Sequence, residues 1–276
     1  MTIYRQMGIG TAKPTKEEQG IVPHHGIDLV EPWQEFSLHE YLNFAKTACE
    51  DIVSRGKRPL FVGGTGLYLR SLLRGICESP AADWEFRQSM EKLAEQRGEQ
   101  WLHDELKKVD AVSAARLHPN DQRRIIRALE VHRMTGEPLS SQHLQSPLPV
   151  DVRPKHVYWL DPEREWLYQR IDQRVIAMFD EGFWEETLSL LELPLPISRT
   201  ARQALGYKEI IEAIETGKTD RASVIQEIQT RTRQFAKRQL TWFRNLEEAT
   251  SIPIQPGDRG EVVAQRIAER VLGDGT

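Results

Sequence analysis

One stretch, RPLFVGGTGLYLRSLL at residues 58–73, limits the possible folds more than any other. Leu60-Phe61-Val62 is a short apolar run of the kind a buried strand uses, and it enters Gly63-Gly64-Thr65-Gly66. A helical pattern starts at once. Upstream, residues 38–55 place Leu38, Tyr41, Leu42, Ala45, Cys49 and Ile52 at helical spacing, and Gly56 ends that helix. Helix, loop, strand, glycine turn, helix is the grammar of a parallel α/β sheet, in which sites gather at the C-terminal ends of strands. Thr65 is expected at such an end.

The turn itself admits two readings. A phosphate loop reads G-x-x-x-x-G-K-[ST], so that backbone N–H groups wrap the phosphates and the lysine meets the outer ones. Here no lysine follows, Leu67-Tyr68 come next, and no other segment of the chain has that pattern. The turn is then either a tight strand-to-helix junction, or a place where a small hydroxyl lies open beside backbone that a flat ligand can approach.

The rest of the chain is mostly helical in pattern. Residues 84–135 are helical and highly charged, broken at Gly98 and at His118-Pro119-Asn120-Asp121. Asn120 or Asp121 is the expected N-cap of a helix that closes at Gly136. Residues 137–154 read as a proline-bearing loop, and His156-Val157-Tyr158-Trp159-Leu160 as the next strand. Helical patterns then occupy 163–192, roughly 200–216 and 220–246, before a polar tail with one short amphipathic stretch. The expected division is an α/β core at 1–85, a helical insertion at 86–150, a second core part with C-terminal helices at 151–255, and a tail at 256–276.

Composition excludes several classes. Hydrophobic residues make up 39% of the 276 and charged residues 28%, a globular balance. No apolar run approaches the roughly 18 residues of a membrane helix, so no membrane partner is expected. The two cysteines, Cys49 and Cys77, are far apart and lack metal-type spacing, which points to a reducing, cytoplasmic setting. The net charge is −4, so a nucleic-acid partner has to be met by local basic patches.

Two such patches exist. In DQRRIIRALEV, Arg123, Arg124 and Arg127 follow a helix start, and Arg123 and Arg127 share a face opposite Ile126 and Leu129. They suit phosphate or RNA backbone; a solvated face balanced by acids is the alternative. In RTRQFAKRQLTWFRN, Arg231, Arg233, Lys237, Arg238 and Arg244 alternate with Phe235, Trp242 and Phe243. That mixture suits single-stranded RNA, held through phosphates and stacking. The alternative is an amphipathic helix with Phe235 and Trp242 in the core and the cations outside. Near the start, Lys13 lies in an irregular loop. His24 and His25 are adjacent without an acidic or cysteine partner nearby, so no metal site is expected there.

Taken together, IYRQMGIGTAKPT, VPHHGIDL, PLFVGGTGLYLRSLL, LHPNDQRRIIRALEVHRMTG, ALGYKEI and FAKRQLTWFRN resemble the tRNA dimethylallyltransferases, also called tRNA isopentenyltransferases. They occur in the family's order across residues 3–245. The resemblance implies a P-loop-kinase-like parallel sheet core carrying a helical insertion, with the nucleotide-binding, Mg2+-assisted character of that fold. It implies transfer of a dimethylallyl group from dimethylallyl diphosphate to N6 of the adenine beside the tRNA anticodon, with the base flipped into a channel. A cytoplasmic monomer with tRNA and dimethylallyl diphosphate as partners is expected.

Residue roles follow from the same resemblance. Thr65 becomes the base contact in the catalytic channel, and Gly63, Gly64 and Gly66 let backbone come near the base. Arg87 in ADWEFR corresponds to an arginine used near tRNA. Arg123, Arg124, Ile125, Ile126 and Arg127 correspond to a tRNA-contacting segment, with Arg231, Arg233, Lys237, Arg238 and Arg244 as further tRNA-facing cations. Lys208 in GYKEI corresponds to a cation near the diphosphate. The family's G-P-T-x-x-G-K-T loop and its Asp-Ser step, whose aspartate is the expected general base, would precede Met1. Thr2, Gly8 and Gly26 replace a common glutamine, a frequent aspartate and a frequent leucine. The chain is therefore expected to lack the family's first strand and phosphate loop, and to be inactive as written. The alternatives are a tRNA-binding module without catalysis and a small-molecule kinase of similar core; the second explains neither arginine cluster.

Overall fold

The computed structural model describes residues 1–75, 80, 82–142, 149, 151, 153–218 and 220–273. Cys77 and much of the proline-bearing 137–154 stretch lie outside them. The chain divides into two compact units, one of residues 1–69 with 154–276, the other of residues 70–153.

The first unit begins with irregular backbone. Tyr4 and Val30 form a single parallel bridge, and this part of the chain carries two helices, the short α1 (Lys16–Ile21) and the longer α2 (Leu38–Ser54). Both helices start in capping boxes, Thr15 with Glu18 and Ser37 with Glu40, so two orphan amides at each end are satisfied reciprocally. Gly56 follows α2 at φ 68°, a left-handed position that suits glycine. The glycine turn leads into α3 (Gly66–Arg74), inside which the division of units falls.

Leu60-Phe61-Val62 is not a strand. The three residues are 86%, 44% and 88% exposed and pair with no strand among the described residues. An apolar run becomes a strand only when a neighbour supplies the ladder and a face to bury, and neither is beside it here.

The second unit is helical: α4 (Trp84–Arg97), α5 (Glu99–Val109), α6 (Ala111–Arg116), α7 (Gln122–Thr135) and α8 (Leu139–Gln142). Gly98 breaks α4 from α5 at φ 88°, and Gly136 caps α7 at φ 74°. A further break comes from Asp110, whose buried carboxylate accepts from Ser113 N (2.9 Å), Ser113 Oγ (2.6 Å) and Ser140 N (2.9 Å). Leu102, Leu106, Ile125, Ile126, Ala128 and Leu129 form the core of this unit. Asp121 caps α7 in position, but its carboxylate engages Arg124 at 3.2 Å instead of a backbone amide.

The chain re-enters the first unit at β1 (Tyr158–Pro162), then runs through α9 (Arg164–Asp180), α10 (Phe183–Leu191), α11 (Arg199–Arg202), α12 (Tyr207–Glu215) and α13 (Arg221–Arg244). It ends with β2 (Thr250–Ile254) and α14 (Gly260–Gly273). The two strands are parallel, from Tyr158 opposite Thr250 to Pro162 opposite Ile254. The architecture is thus mixed α/β, mostly helical with a small parallel sheet. Phe183 is the hub of the core: its ring meets Tyr207 edge-on at 4.8 Å and Phe179 at 5.8 Å. Gly10 admits it, because a Cβ there would lie 2.1 Å from the Phe183 ring.

Candidate functional site

In the first unit, the glycine turn is fixed from one side by α13. The Gln239 amide donates to the Gly64 carbonyl at 2.7 Å. A Cβ on Gly64 would lie 2.2 Å from Gln239 Nε2, and one on Gly66 2.4 Å from the Trp242 ring. The two glycines therefore let the turn sit against α13, a packing reason that the sequence did not reveal. Thr65 accepts through its carbonyl from Tyr68 N (3.0 Å) and Leu69 N (3.2 Å), so it stands at the entrance of α3. Its side chain is exposed, and its hydroxyl makes no hydrogen bond among the described residues.

The cations of α13 divide by what they touch. Arg233 is engaged by Asp172 and Thr230, and Arg231 lies 3.8 Å from Glu227. Arg244 sits 6.0 Å over the Trp159 ring and Arg238 5.9 Å over Phe235, while Lys237 is exposed. Phe235 is itself 41% exposed and not in the core. Val224, Ile228 and Ala236, spaced by four and eight residues, set the inward line of α13, and Phe235 falls off that line, beneath Arg238. Lys208 projects from α12 with its ammonium 3.6 Å from Glu212.

A pocket of about 360 Å3 opens between the N-terminal loop and α9, lined among others by Gly8, Ile9, Lys13, Arg174, Glu181 and Glu186. Its floor is organised by Glu186, whose carboxylate accepts from Gly8 N (2.9 Å), Ile9 N (2.8 Å), Gly10 N (3.3 Å) and Tyr207 OH (2.6 Å). Burial, then the bond to Glu186, raises the Tyr207 phenol above its ordinary value, in keeping with its role as donor to Glu186. Lys13 is tied to the Tyr4 carbonyl (2.8 Å) and Asp28 (2.6 Å). Arg174 makes no hydrogen bond or ion pair among the described residues, so its guanidinium is available to an anion. Sequence reasoning passed it over. The signal was the pair Arg170 and Arg174 four residues apart on α9, of which Arg170 is stacked on Trp166 at 5.0 Å. Lys208 and Thr65 do not line this pocket.

In the second unit, Arg87 and Arg127 converge on Glu130, which is 0% exposed. Arg124 is exposed and paired with Asp121, and Arg123 is exposed without a partner among the described residues. Ile125 and Ile126 are 0% and 3% exposed, so within the expected tRNA-contacting segment their side chains belong to the core. Burial pushes the Glu130 carboxyl up, but the bonds from Arg87, Arg127 and the Asp83 amide outweigh it and hold it below the ordinary carboxylate range.

Among the described residues no group of three or more His, Cys, Asp or Glu side chains is placed to hold a metal ion. No helix of the described residues is long and apolar enough to cross a membrane.

In architecture, then, this is a mixed α/β protein with a glycine turn, a cation-lined pocket and arginine-bearing helices. Comparison with known proteins takes the assignment further: residues 2–246 match the family model for IPP transferases, and the chain belongs to that family. It is 42% identical over 271 residues to a tRNA dimethylallyltransferase of Rhodopirellula baltica, covering 98% of this chain and 81% of the relative. A tRNA dimethylallyltransferase of Geobacter sulfurreducens is 46% identical over 248 residues, covering 88% of this chain and 78% of that protein. Among solved structures, the tRNA isopentenylpyrophosphate transferase of Bacillus halodurans is similar with a TM-score of 0.67 and 34% identity, over 99% of this chain and 84% of that one. A eukaryotic dimethylallyltransferase described as acting on tRNA is similar with a TM-score of 0.77 and 26% identity, over 99% of this chain and 70% of that one.

Proposed function

We infer that this chain serves in transfer of a dimethylallyl group from dimethylallyl diphosphate to N6 of the adenine beside the anticodon of tRNA. The observation that carries the reading is the family match across residues 2–246, which takes in the glycine turn, both arginine clusters and Lys208. The chemistry asks for a donor or acceptor at the base and cations at the diphosphate. Thr65, exposed and without a hydrogen-bond partner among the described residues, supplies the first. Arg174 and Lys208 are the candidates for the second, because cations stabilise a leaving group that gains charge as the C–O bond breaks. The guanidinium of Arg123 and the outer cations of α13 are the candidates for phosphates of the tRNA. We place the reaction in the cytoplasm and the protein as a monomer, which rests on the sequence alone.

A second reading concerns the 276 residues by themselves. They contain no G-x-x-x-x-G-K-[ST] loop. Without that loop the diphosphate has no backbone cradle and no loop lysine. We propose that these residues alone bind tRNA but transfer no detectable prenyl group. A labelled dimethylallyl-transfer assay tests both readings, with the 276-residue chain beside one extended by the family's phosphate-loop segment. Transfer by the extended chain alone is expected. Transfer by neither would remove the enzymatic reading, and clear turnover by the short chain would overturn the role given to the loop.

A further inference from the structure

Arg87 and Arg127 are cations expected at tRNA phosphates, yet both guanidiniums turn toward the protein. Glu130 receives four bonds on two oxygens. Asp83 N (2.7 Å) and Arg87 Nε (2.8 Å) donate to Oε1, and an Arg87 terminal nitrogen (2.7 Å) and Arg127 donate to Oε2. The second Arg127 nitrogen donates to the Pro80 carbonyl at 2.8 Å. The Arg87 guanidinium also lies 4.8 Å over the Trp84 ring.

Two features go beyond what stability alone calls for. One arginine would neutralise Glu130; two guanidiniums on one carboxylate leave an excess positive charge on side chains only 20% and 28% exposed. Such a charge is unfavourable in the free protein, and an outside anion relieves it. Second, each guanidinium has five N–H donors and uses two among the described residues, leaving three unused there. The unused donors sit on side chains whose rotamers are already fixed, so little further entropy is lost when a phosphate arrives.

We propose that Glu130 is a positioning residue that presets Arg87 and Arg127 as a fixed pair of guanidiniums for RNA phosphates; this rests on the tRNA reading above. Glu130 itself, wholly buried, touches no RNA.

The test exploits a difference in sign. Electrostatics alone says that removing a negative charge from a polyanion-binding face tightens binding. Positioning says that it weakens binding. Fluorescence anisotropy with labelled tRNA and the intact 276-residue chain, at several salt concentrations, measures the parent, Glu130→Gln and Arg123→Ala. The expected result is about tenfold weaker binding for Glu130→Gln, with a salt slope shallower by about one to two. Arg123→Ala should weaken binding more modestly. A parent without salt-dependent tRNA affinity sinks the underlying reading and the proposal with it. Weakening by Arg123→Ala together with unchanged or tighter binding by Glu130→Gln overturns the proposal alone. Circular dichroism shows whether Glu130→Gln keeps its helices. Where it does not, the double variant Arg87→Lys/Arg127→Lys decides, because it keeps every charge and loses only the forked geometry. Parent-like tRNA affinity in that variant overturns the proposal, and a loss of similar size supports it.

Discussion

Two buried or half-buried carboxylates organise the two units, and they do so with opposite kinds of partner. Glu186 collects three consecutive backbone amides and a tyrosine hydroxyl, all neutral donors. Glu130 collects two guanidiniums and one amide. The first arrangement fixes backbone: it pins the Gly8-Ile9-Gly10 loop against α10 and α12, and no side chain of that loop takes part. The second fixes charge: it holds two cations at a set place and leaves a surplus positive charge. A carboxylate that accepts from amides shapes a pocket wall, whereas one that accepts from two arginines fixes guanidiniums that keep unused donors among the described residues.

The largest expected consequence of that contrast is in stability. Glu130→Ala strands two partly buried guanidiniums and should lower unfolding free energy by about 3–5 kcal/mol, seen as loss of the α4–α8 helices in a urea melt. Glu186→Ala leaves only neutral amides and a phenol to be rehydrated, and should lower it by about 1–3 kcal/mol. An equal or larger loss at Glu186 would break the distinction between holding backbone and holding charge.

Acid should act on the same contrast. Burial raises both the Glu130 and the Asp110 carboxyl, yet both are held below the ordinary carboxylate range, the first by Arg87, Arg127 and the Asp83 amide, the second by Ser113 and Ser140. The unfolded chain therefore takes up these protons at a higher pH than the folded one. The stabilisation is complete above the ordinary carboxylate range and is lost as pH falls through the folded values. Denaturant melts between neutral pH and strong acid should show the α4–α8 unit weakening in that window, and Glu130→Gln should lessen the dependence. A flat profile would mean that the carboxylate is not the keystone of this unit.

At the glycine turn two substitutions one residue apart should separate packing from contact. Gly66→Ala drives a methyl into the Trp242 ring and should cost about 1–3 kcal/mol of stability. Thr65→Ala removes an exposed hydroxyl that has no partner among the described residues, so stability should change by about 0.5 kcal/mol or less. Prenyl transfer by a chain extended with the phosphate-loop segment should nevertheless fall about 2- to 13-fold, the worth of one neutral hydrogen bond. Unchanged single-turnover rates would remove Thr65 from the base contact.

Much of this was legible in the sequence wherever the signal is local. The helix ends at Gly56, Gly98 and Gly136 follow from glycine's tolerance of positive φ, and all three glycines lie there. The second helix was readable from the period of its apolar residues, and the family from six short segments in order. What was not legible depends on partners distant in sequence. Leu60-Phe61-Val62 has the composition of a strand, but pairing is a property of a neighbour and not of the run. β2 was missed because Pro253 lowers the strand signal of TSIPI, and it is tolerated here because among the described residues the strand has a neighbour on one side only. Arg87, Arg127 and Glu130 stood in the sequence as three charges on a solvated-looking pattern, with no sign that a buried acid lay between the two arginines. Arg174 was passed over for the opposite reason: availability to a ligand is an absence of partners, which only coordinates disclose.

The central claim is that this chain meets tRNA through cations placed by its fold. The most direct test is an equilibrium titration of labelled tRNA with the 276-residue chain from low to moderate salt, with a DNA hairpin of equal charge as competitor. The account predicts an affinity that falls steeply with salt, a shallower slope by about one counterion in Arg123→Ala, and retention of tRNA against the hairpin. Affinity independent of salt, or a hairpin that displaces tRNA at equal concentration, would contradict it.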